Sequence, residues 1–420
     1  MRDDSFAELL PLAPEKKFDP KTESVFNTYS LGVASSRDTW AWNYSQNELF
    51  ANMDRAISFF NKNAQNLKDK TQSDIQYDPT QISWNDSLIR DCKNGENLSL
   101  KKDLGVVSVY RPFCKQFLYY DKTWIQRTYQ VLKLFPTPHH KNLVICVSGV
   151  GVTKDFTCLI SDQLPDLEIV GKNQCFPLYW YESRSEYEKS VGAERSLFGS
   201  EVAADGFDEY GYRKRDGISD WIHNHVCHRY NATKKNITKE MIFYAVYSLL
   251  HNKAWRTKYA ANLKKELPRI PLPETIDDFL KEVTRGRTLA GLHLGYETHS
   301  APEGVIIKYL GNAAKIEEIP TEHFKVQKMR FPTKTQKDVI IYNPWITIEG
   351  IPSAAYDYIV NGKSAVEWVM ERYAVSTDKA SGILNDPNLW ALEHNQPDYI
   401  LRVLLGVIGV SVETAKEVRG

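Results

Sequence analysis

The sequence predicts an α+β (mixed α/β) fold, with a β-rich middle followed by a largely helical C-terminal part. Three observations carry that reading. Between residues 105 and 180, short β-branched or aromatic runs (GVVSVYRPF, KQFLYY, NLVICVSGV, FTCLISD, LEIVG and CFPLYWY) alternate with turn residues, as strands do. Behind Thr238, the segment KEMIFYAVYSLLHNKAWRTKYAANL sets Ile242, Ala245, Val246 and Leu249 at helical spacing, until Pro268, Pro271 and Pro273 stop it. The chain has 420 residues, and single cores stop growing at roughly 250–300, so two or three domains are expected.

The remaining elements follow from local pattern. Residues 1–22 mix Pro, Lys and Asp with few apolar side chains and read as a linker. VFNTYSLGVASS (25–36) reads as a strand and turn. Ser45 and Glu48 have capping-box spacing and open a helix whose Leu49, Met53, Ile57 and Phe60 share one face. Residues 70–104 are polar and irregular, and the charged stretch 182–217 reads as an exposed loop or insertion. A second helix, ETIDDFLKEVTRGRTLAGLHLGYE, precedes strands in 303–350 and mostly helix in 352–418. No fixed-period repeat occurs. The boundaries so drawn are 1–70 (linker and helix), 71–235 (β-rich module), 236–302 (helical brace) and 303–420 (small β element and C-terminal helices).

Lys+Arg and Asp+Glu both total 53, so no whole-chain basic field grips nucleic acid, and such contacts must come from local patches. The six cysteines form no CxxC pair and several lie in apolar runs, which suits buried thiols in a reducing, cytoplasmic setting. No apolar run approaches the ~18 residues of a membrane span. The acidic N-terminus lacks the order of a secretory signal.

Two patches suit a phosphate backbone. In RPFCKQFLYYDKTWIQRTYQVLKLFPTPHHK (111–141), Arg111, Lys115 and Arg127 are the chosen contacts among six cations interleaved with seven aromatics and one acid. The blander reading is a strand pair with aromatics in the core and solvated cations. In HFKVQKMRFPTKTQK (323–337), Lys325, Lys328, Arg330 and Lys334 are the chosen contacts in a stretch without an acid. A third cationic stretch, 253–269, is more simply a solvated helix face.

WIHNHVCHRY (221–230) gathers His223, His225, Cys227 and His228, but a tetrahedral zinc site needs a second half-site that the sequence lacks, so no metal is expected. Two stretches imitate parts of a methyltransferase: VICVSGVGV (144–152), a strand entering a glycine-containing turn, and Asn343-Pro344-Trp345 after the apolar strand IIY. Adenine amino-methyltransferases carry an Asn/Asp-Pro-Pro-aromatic motif, and here Trp345 stands where the second proline belongs. Both read as ordinary strand ends, so no catalytic residue is assigned.

Phrases along nearly the whole chain resemble, in order, the C-terminal specificity region of Type ISP restriction–modification enzymes. These include GVASSRDTWAWNYS (32–45), YRPFCKQFLYYD (110–121), QCFPLYWY (174–181), RKRDGISDWI (213–222), ITKEMIFYAVYSLLHNKAWRTKYAANLKKELPRIPL (237–272), GRTLAGLHLGYE (286–297), KMRFP (328–332), DVIIYNPWITIEGIPSAAYDYIVNGKSAVEWVMERYAV (338–375) and DYILRVLLGVIGVSVET (398–414). The resemblance implies sequence-specific recognition of double-stranded DNA for a bacterial adenine-N6 methyltransferase. The module at about 105–235 would read bases, and residues 1–70 would face a methyltransferase domain or a separate chain. S-adenosylmethionine would be held in that domain, with no cofactor in this chain. Met1 falls about where such a domain would end, which suggests a split gene product or a separate fragment. Two alternatives remain open: a self-sufficient methyltransferase using 144–152 and 343–345, and a protein-docking scaffold.

Overall fold

A computed structural model describes residues 2–67, 74–190, 206–313 and 315–419. The chain condenses into two compact units, each gathered from separated stretches. One comprises Met1–Gly32, Tyr129–Leu164 and Val170–Leu294; the other comprises Val33–Thr128, Pro165–Ile169 and Gly295–Gly420. The mixed α+β class is as expected, but the strands of 105–180 do not make one sheet. Gly105–Arg111 and Cys114–Tyr119 serve the second unit, whereas Val144–Val147, Cys158–Ser161 and Gln174–Pro177 serve the first.

The first unit is built on an antiparallel sheet in the order Ser30–Leu31, Gln174–Pro177, Val144–Val147, Cys158–Ser161. All four residues of Val144–Val147 are buried, which is why this run is continuously apolar rather than alternating. Helices Lys239–Leu249 and Ile276–Leu294 pack on each other and around the sheet. Their backbones approach closely at Gly286, where a Cβ would lie 1.9 Å from the Tyr244 carbonyl oxygen. The Tyr247 hydroxyl joins helix to sheet, accepting from the Ile160 N–H at 3.1 Å.

Four local expectations need revision. The helix expected over 238–262 ends at Leu249, and Asn252 starts a new one, its side chain accepting from the Trp255 N–H. Arg256 Nε donates to the freed Leu250 carbonyl at 2.6 Å, so the break leaves that carbonyl satisfied. Within 182–217, Tyr212–Asp216 is not loop but a strand paired with Tyr179–Ser183; residues 191–205 lie outside the described residues. Residues 86–93 in the supposedly irregular stretch form a helix capped by Asn85. Finally, residues with linker-like composition are packed: Leu10–Pro11 pairs with Arg269–Ile270, and buried Phe6 meets the Tyr259 ring at 5.1 Å.

In the second unit, Ser45 caps helix Gln46–Asn66 as expected, and Leu49, Met53, Ile57 and Phe60 are all buried. The helix lies against a hairpin, Gly105–Arg111 with Cys114–Tyr119, whose second strand also pairs with Trp42–Asn43. Arg111 bonds Asp166 and, at 3.1 Å, Asp38. Lys115 meets Glu297 at 2.5 Å, and the Tyr44 hydroxyl donates to the Arg372 carbonyl at 2.9 Å. A smaller sheet follows in the order Ile306–Tyr309, Ile346–Glu349, Ile340–Ile341, with helices Ala365–Arg372 and Tyr399–Arg419 packed on each other. Among the described residues no helix is long and apolar enough to cross a membrane, and all six cysteines are buried and free of disulfides.

Three outcomes are expected. Arg111→Ala strands the nearly buried Asp166 carboxylate and destabilises the chain by about 3 kcal/mol in urea unfolding; a change below about 0.5 kcal/mol would refute a structural role. Asn343→Ala leaves unpaired the four backbone groups that the Asn343 side chain bonds, and removes about 2–3 kcal/mol by the same measurement. In the first unit, burial pushes His293 down to about 3 and His251 well below its ordinary 6.5, with the nearby Arg256 charge adding to both. Both are therefore neutral when folded and take up protons on unfolding. Their contribution is intact above pH ~6.5 and is lost as pH falls toward 3, so the urea midpoint drops over that window. The double Gln variant should show a shallower decline; an equal slope would exclude these histidines as its source.

Candidate nucleic-acid interface

The seven cations chosen from the sequence separate into two kinds. Arg111 and Lys115 are engaged inside the second unit. Their side chains are only 15% and 17% exposed, and each meets carboxylates of its own chain: Asp38 and Asp166 for Arg111, Glu297 for Lys115. Such a pair has little charge left for a phosphate. Arg127 is exposed, and its backbone pairs with Ala34. Lys325, Lys328, Arg330 and Lys334 are all exposed, and among the described residues none of them forms an ion pair. Lys337, at the end of the same stretch, is held by Glu367 at 2.9 Å.

The stretch bearing these four cations is not a loose loop. Arg330 bridges to Ile341 through both backbone hydrogen bonds, at 3.1 and 2.9 Å, extending the small sheet by one residue. Upstream, Phe324, Val326 and Met329 are buried while Lys325 and Lys328 face solvent. Apolar anchors therefore fix the backbone, and the intervening cations are presented outward. Asn343 completes the fixation. Its amide nitrogen donates to the carbonyls of His323 at 2.6 Å and Lys325 at 3.0 Å, and its Oδ1 accepts from the N–H groups of Trp345 and Ile346 at 2.9 and 2.8 Å. Trp345 then stacks on His323 with ring centroids 3.9 Å apart, and the His323 Nδ1 meets the Tyr309 hydroxyl at 2.6 Å.

In the first unit, the ribbon of Tyr179–Ser183 and Tyr212–Asp216 sets Trp180 opposite Arg215 and Glu182 opposite Arg213. Glu182 takes both arginines, at 2.8 and 3.0 Å, and Lys214 lies over the Tyr179 ring at 4.3 Å. A two-stranded ribbon has dimensions that the DNA major groove admits. Sequence reasoning passed over these residues because the YRKRD run sits in a charged stretch. The run has no apolar–polar alternation to mark it as a strand, and its partner strand lies some thirty residues upstream.

The stretches that imitate other chemistry are used internally. Val144–Val147 is flanked by antiparallel neighbours on both sides, and the Gly149 and Gly151 N–H groups donate to the carbonyls of Gly171 and Lys264 at 2.9 and 3.0 Å. A Cβ on Gly149 would lie 2.2 Å from the Lys172 carbonyl oxygen, so its glycine answers a backbone contact rather than a ligand. Asn343, with both amide atoms engaged twice, has no bond left for a substrate amino group. On helix Asp220–Arg229, His223 and Cys227 are buried while His225 and His228 are exposed, and His223 Nε2 bonds the Ile237 carbonyl at 2.7 Å. Among the described residues no cluster suited to a metal ion forms.

Comparisons with known proteins agree on one family. Residues 24–403 match the Type ISP C-terminal specificity domain. No curated protein sequence matches the chain. Among solved structures, the whole chain superposes on a nuclease-deletion mutant of the Type ISP restriction–modification enzyme LlaGI in complex with a DNA substrate mimic (TM-score 0.81, 31% identity, 34% of that chain). It likewise superposes on the ATP-dependent Type ISP restriction–modification enzyme LlaBIII bound to DNA (0.82, 32%, 25% of that chain) and on DrdV in a DNA complex (0.79, 27%, 39% of that chain). The chain thus spans between a quarter and two fifths of those proteins. With a family match over nearly its entire length and ordered elements throughout both units, the chain belongs to the Type ISP C-terminal specificity domain family.

Proposed function

We propose that this chain fixes the register and sequence of double-stranded DNA for a restriction–modification enzyme that methylates adenine N6, the methyl transfer taking place in a domain outside these residues. The observation that carries the reading is the match of the entire chain, at 32% identity, to an enzyme solved with DNA bound. The molecule's own chemistry supports it. Lys325, Lys328, Arg330 and Lys334 supply unpaired charge on an anchored backbone, which suits phosphate contacts that set position without reading sequence. The ribbon of the first unit supplies the rigid, groove-sized element on which base-reading side chains would sit. The internal use of Gly149, Gly151 and Asn343 favours this reading over a self-sufficient methyltransferase.

Two measurements test it. Replacing Lys325, Lys328, Arg330 and Lys334 by Ala weakens binding to a random-sequence duplex and flattens the salt dependence by about 0.9 in log–log slope for each phosphate left unneutralised. An unchanged slope removes this patch from the interface. Selection from a random duplex pool should return one enriched sequence, whereas an unenriched pool would exclude sequence recognition by this chain.

A further inference from the structure

The turn Asn343-Pro344-Trp345 departs from what its surroundings require. A hairpin tip in a soluble protein is ordinarily small and polar, because apolar side chains there stay wet. Here Pro344 and Trp345 are both exposed, Trp345 keeping 42% of its surface open, and Leu310, whose N–H donates to the Trp345 carbonyl at 2.9 Å, is 77% exposed. The tip is nevertheless held rigidly: four hydrogen bonds from the buried Asn343 side chain fix it, and His323 backs the indole in a nearly parallel stack. A large aromatic fixed in place, one face backed by His323 and 42% of its surface still open, suits a surface completed by a ligand.

The kind of ligand follows from the rim. Asn343 bonds the carbonyls of His323 and Lys325, which sets the backbone of the exposed Lys325 at the base of the tip, with Lys328 and Arg330 following on the same anchored stretch. From His323 to Lys337 there is no acid; Glu322 and Asp338 flank the stretch. An aromatic plane beside unpaired cations is complementary to a nucleobase beside its phosphates. A protein partner's apolar patch would leave those cations unmatched.

Resting on the DNA-recognition reading above, we propose that Pro344 and Trp345 form a stacking wedge that occupies an opened base step of the bound duplex, Trp345 packing on the exposed face of a base while Lys325 and its neighbours hold the flanking phosphates. The enzyme class proposed above acts on a base withdrawn from the stack, and an apolar wedge lowers the free-energy difference of holding such a step open.

The test uses the full chain and two random-sequence duplexes of identical sequence, one intact and one missing a single internal nucleotide. Wild type should bind the gapped duplex about tenfold more tightly than the intact one. Trp345→Ala and Trp345→Leu should each lose that preference without changing the phosphate-set salt dependence; Trp345→Phe should retain most of it. The Leu variant keeps an apolar tip without an aromatic face, so it separates stacking from mere coverage, and cooperative urea unfolding of each variant checks the fold. No preference in wild type, or an equal preference in Trp345→Leu, overturns the wedge while leaving the DNA reading intact. Failure of wild type to bind either duplex overturns both.

Discussion

The second unit depends on the charged hairpin Gly105–Tyr119. That unit is gathered from three separated stretches, and nothing in the chain's local order brings them together. Arg111 bonds Asp38 within the first stretch and Asp166 in the second, a segment of only five residues, Pro165–Ile169. Lys115, on the neighbouring strand, reaches Glu297 in the third. Asp166 also gives its backbone N–H to Val109 at 3.0 Å, and the Glu168 carbonyl accepts from Asn361 at 3.4 Å. So short a segment buries too little apolar surface to hold its own place, and the buried pairing with Arg111 specifies where it lies. Burial pushes the Asp166 carboxyl up to about 8 against the pull of the Arg111 charge, so the pairing specifies where the segment lies more than it adds stability of its own.

This use of charge separates cations that look alike in a sequence. Arg111 and Lys115 sit in a basic, aromatic-rich run, but both lie in or beside a strand and point at carboxylates brought from elsewhere. Lys325, Lys328 and Arg330 alternate with buried Phe324, Val326 and Met329, and their charge stays outside. Composition distinguishes the two cases poorly, since the acids that neutralise Arg111 and Lys115 come from up to 182 residues away.

What was legible in the sequence was local. The Ser45 cap, the apolar face of the first long helix, the second helix near 276–294 and the strand character of 144–147 follow from spacing and from residue type. The family resemblance placed the chain's role in the same way, through ordered phrases. The break after Leu249 was illegible because it depends on Arg256 satisfying the Leu250 carbonyl, a bond that periodicity does not encode. The YRKRD strand was hidden because a strand at 212–216 is defined by its partner at 179–183. The site was half legible: the basic stretch 323–337 was visible, but the Asn343 bonds that fasten Trp345 beside it were not.

The interleaving of the two units also bears on how the protein is made. The chain passes between them at residues 32/33, 128/129, 164/165, 169/170 and 294/295. A ribosome that has delivered the hairpin and Asp166 has not yet delivered Glu297 or Arg372, so the second unit's first stretch must wait for its partners through the synthesis of most of the first unit. Folding in order of emergence, the usual refuge of large proteins from misassembly, is closed to that unit. The same threading means that exchanging a block that crosses these passage points cuts both cores, whereas a block confined to 170–294 or to 295–420 cuts only one.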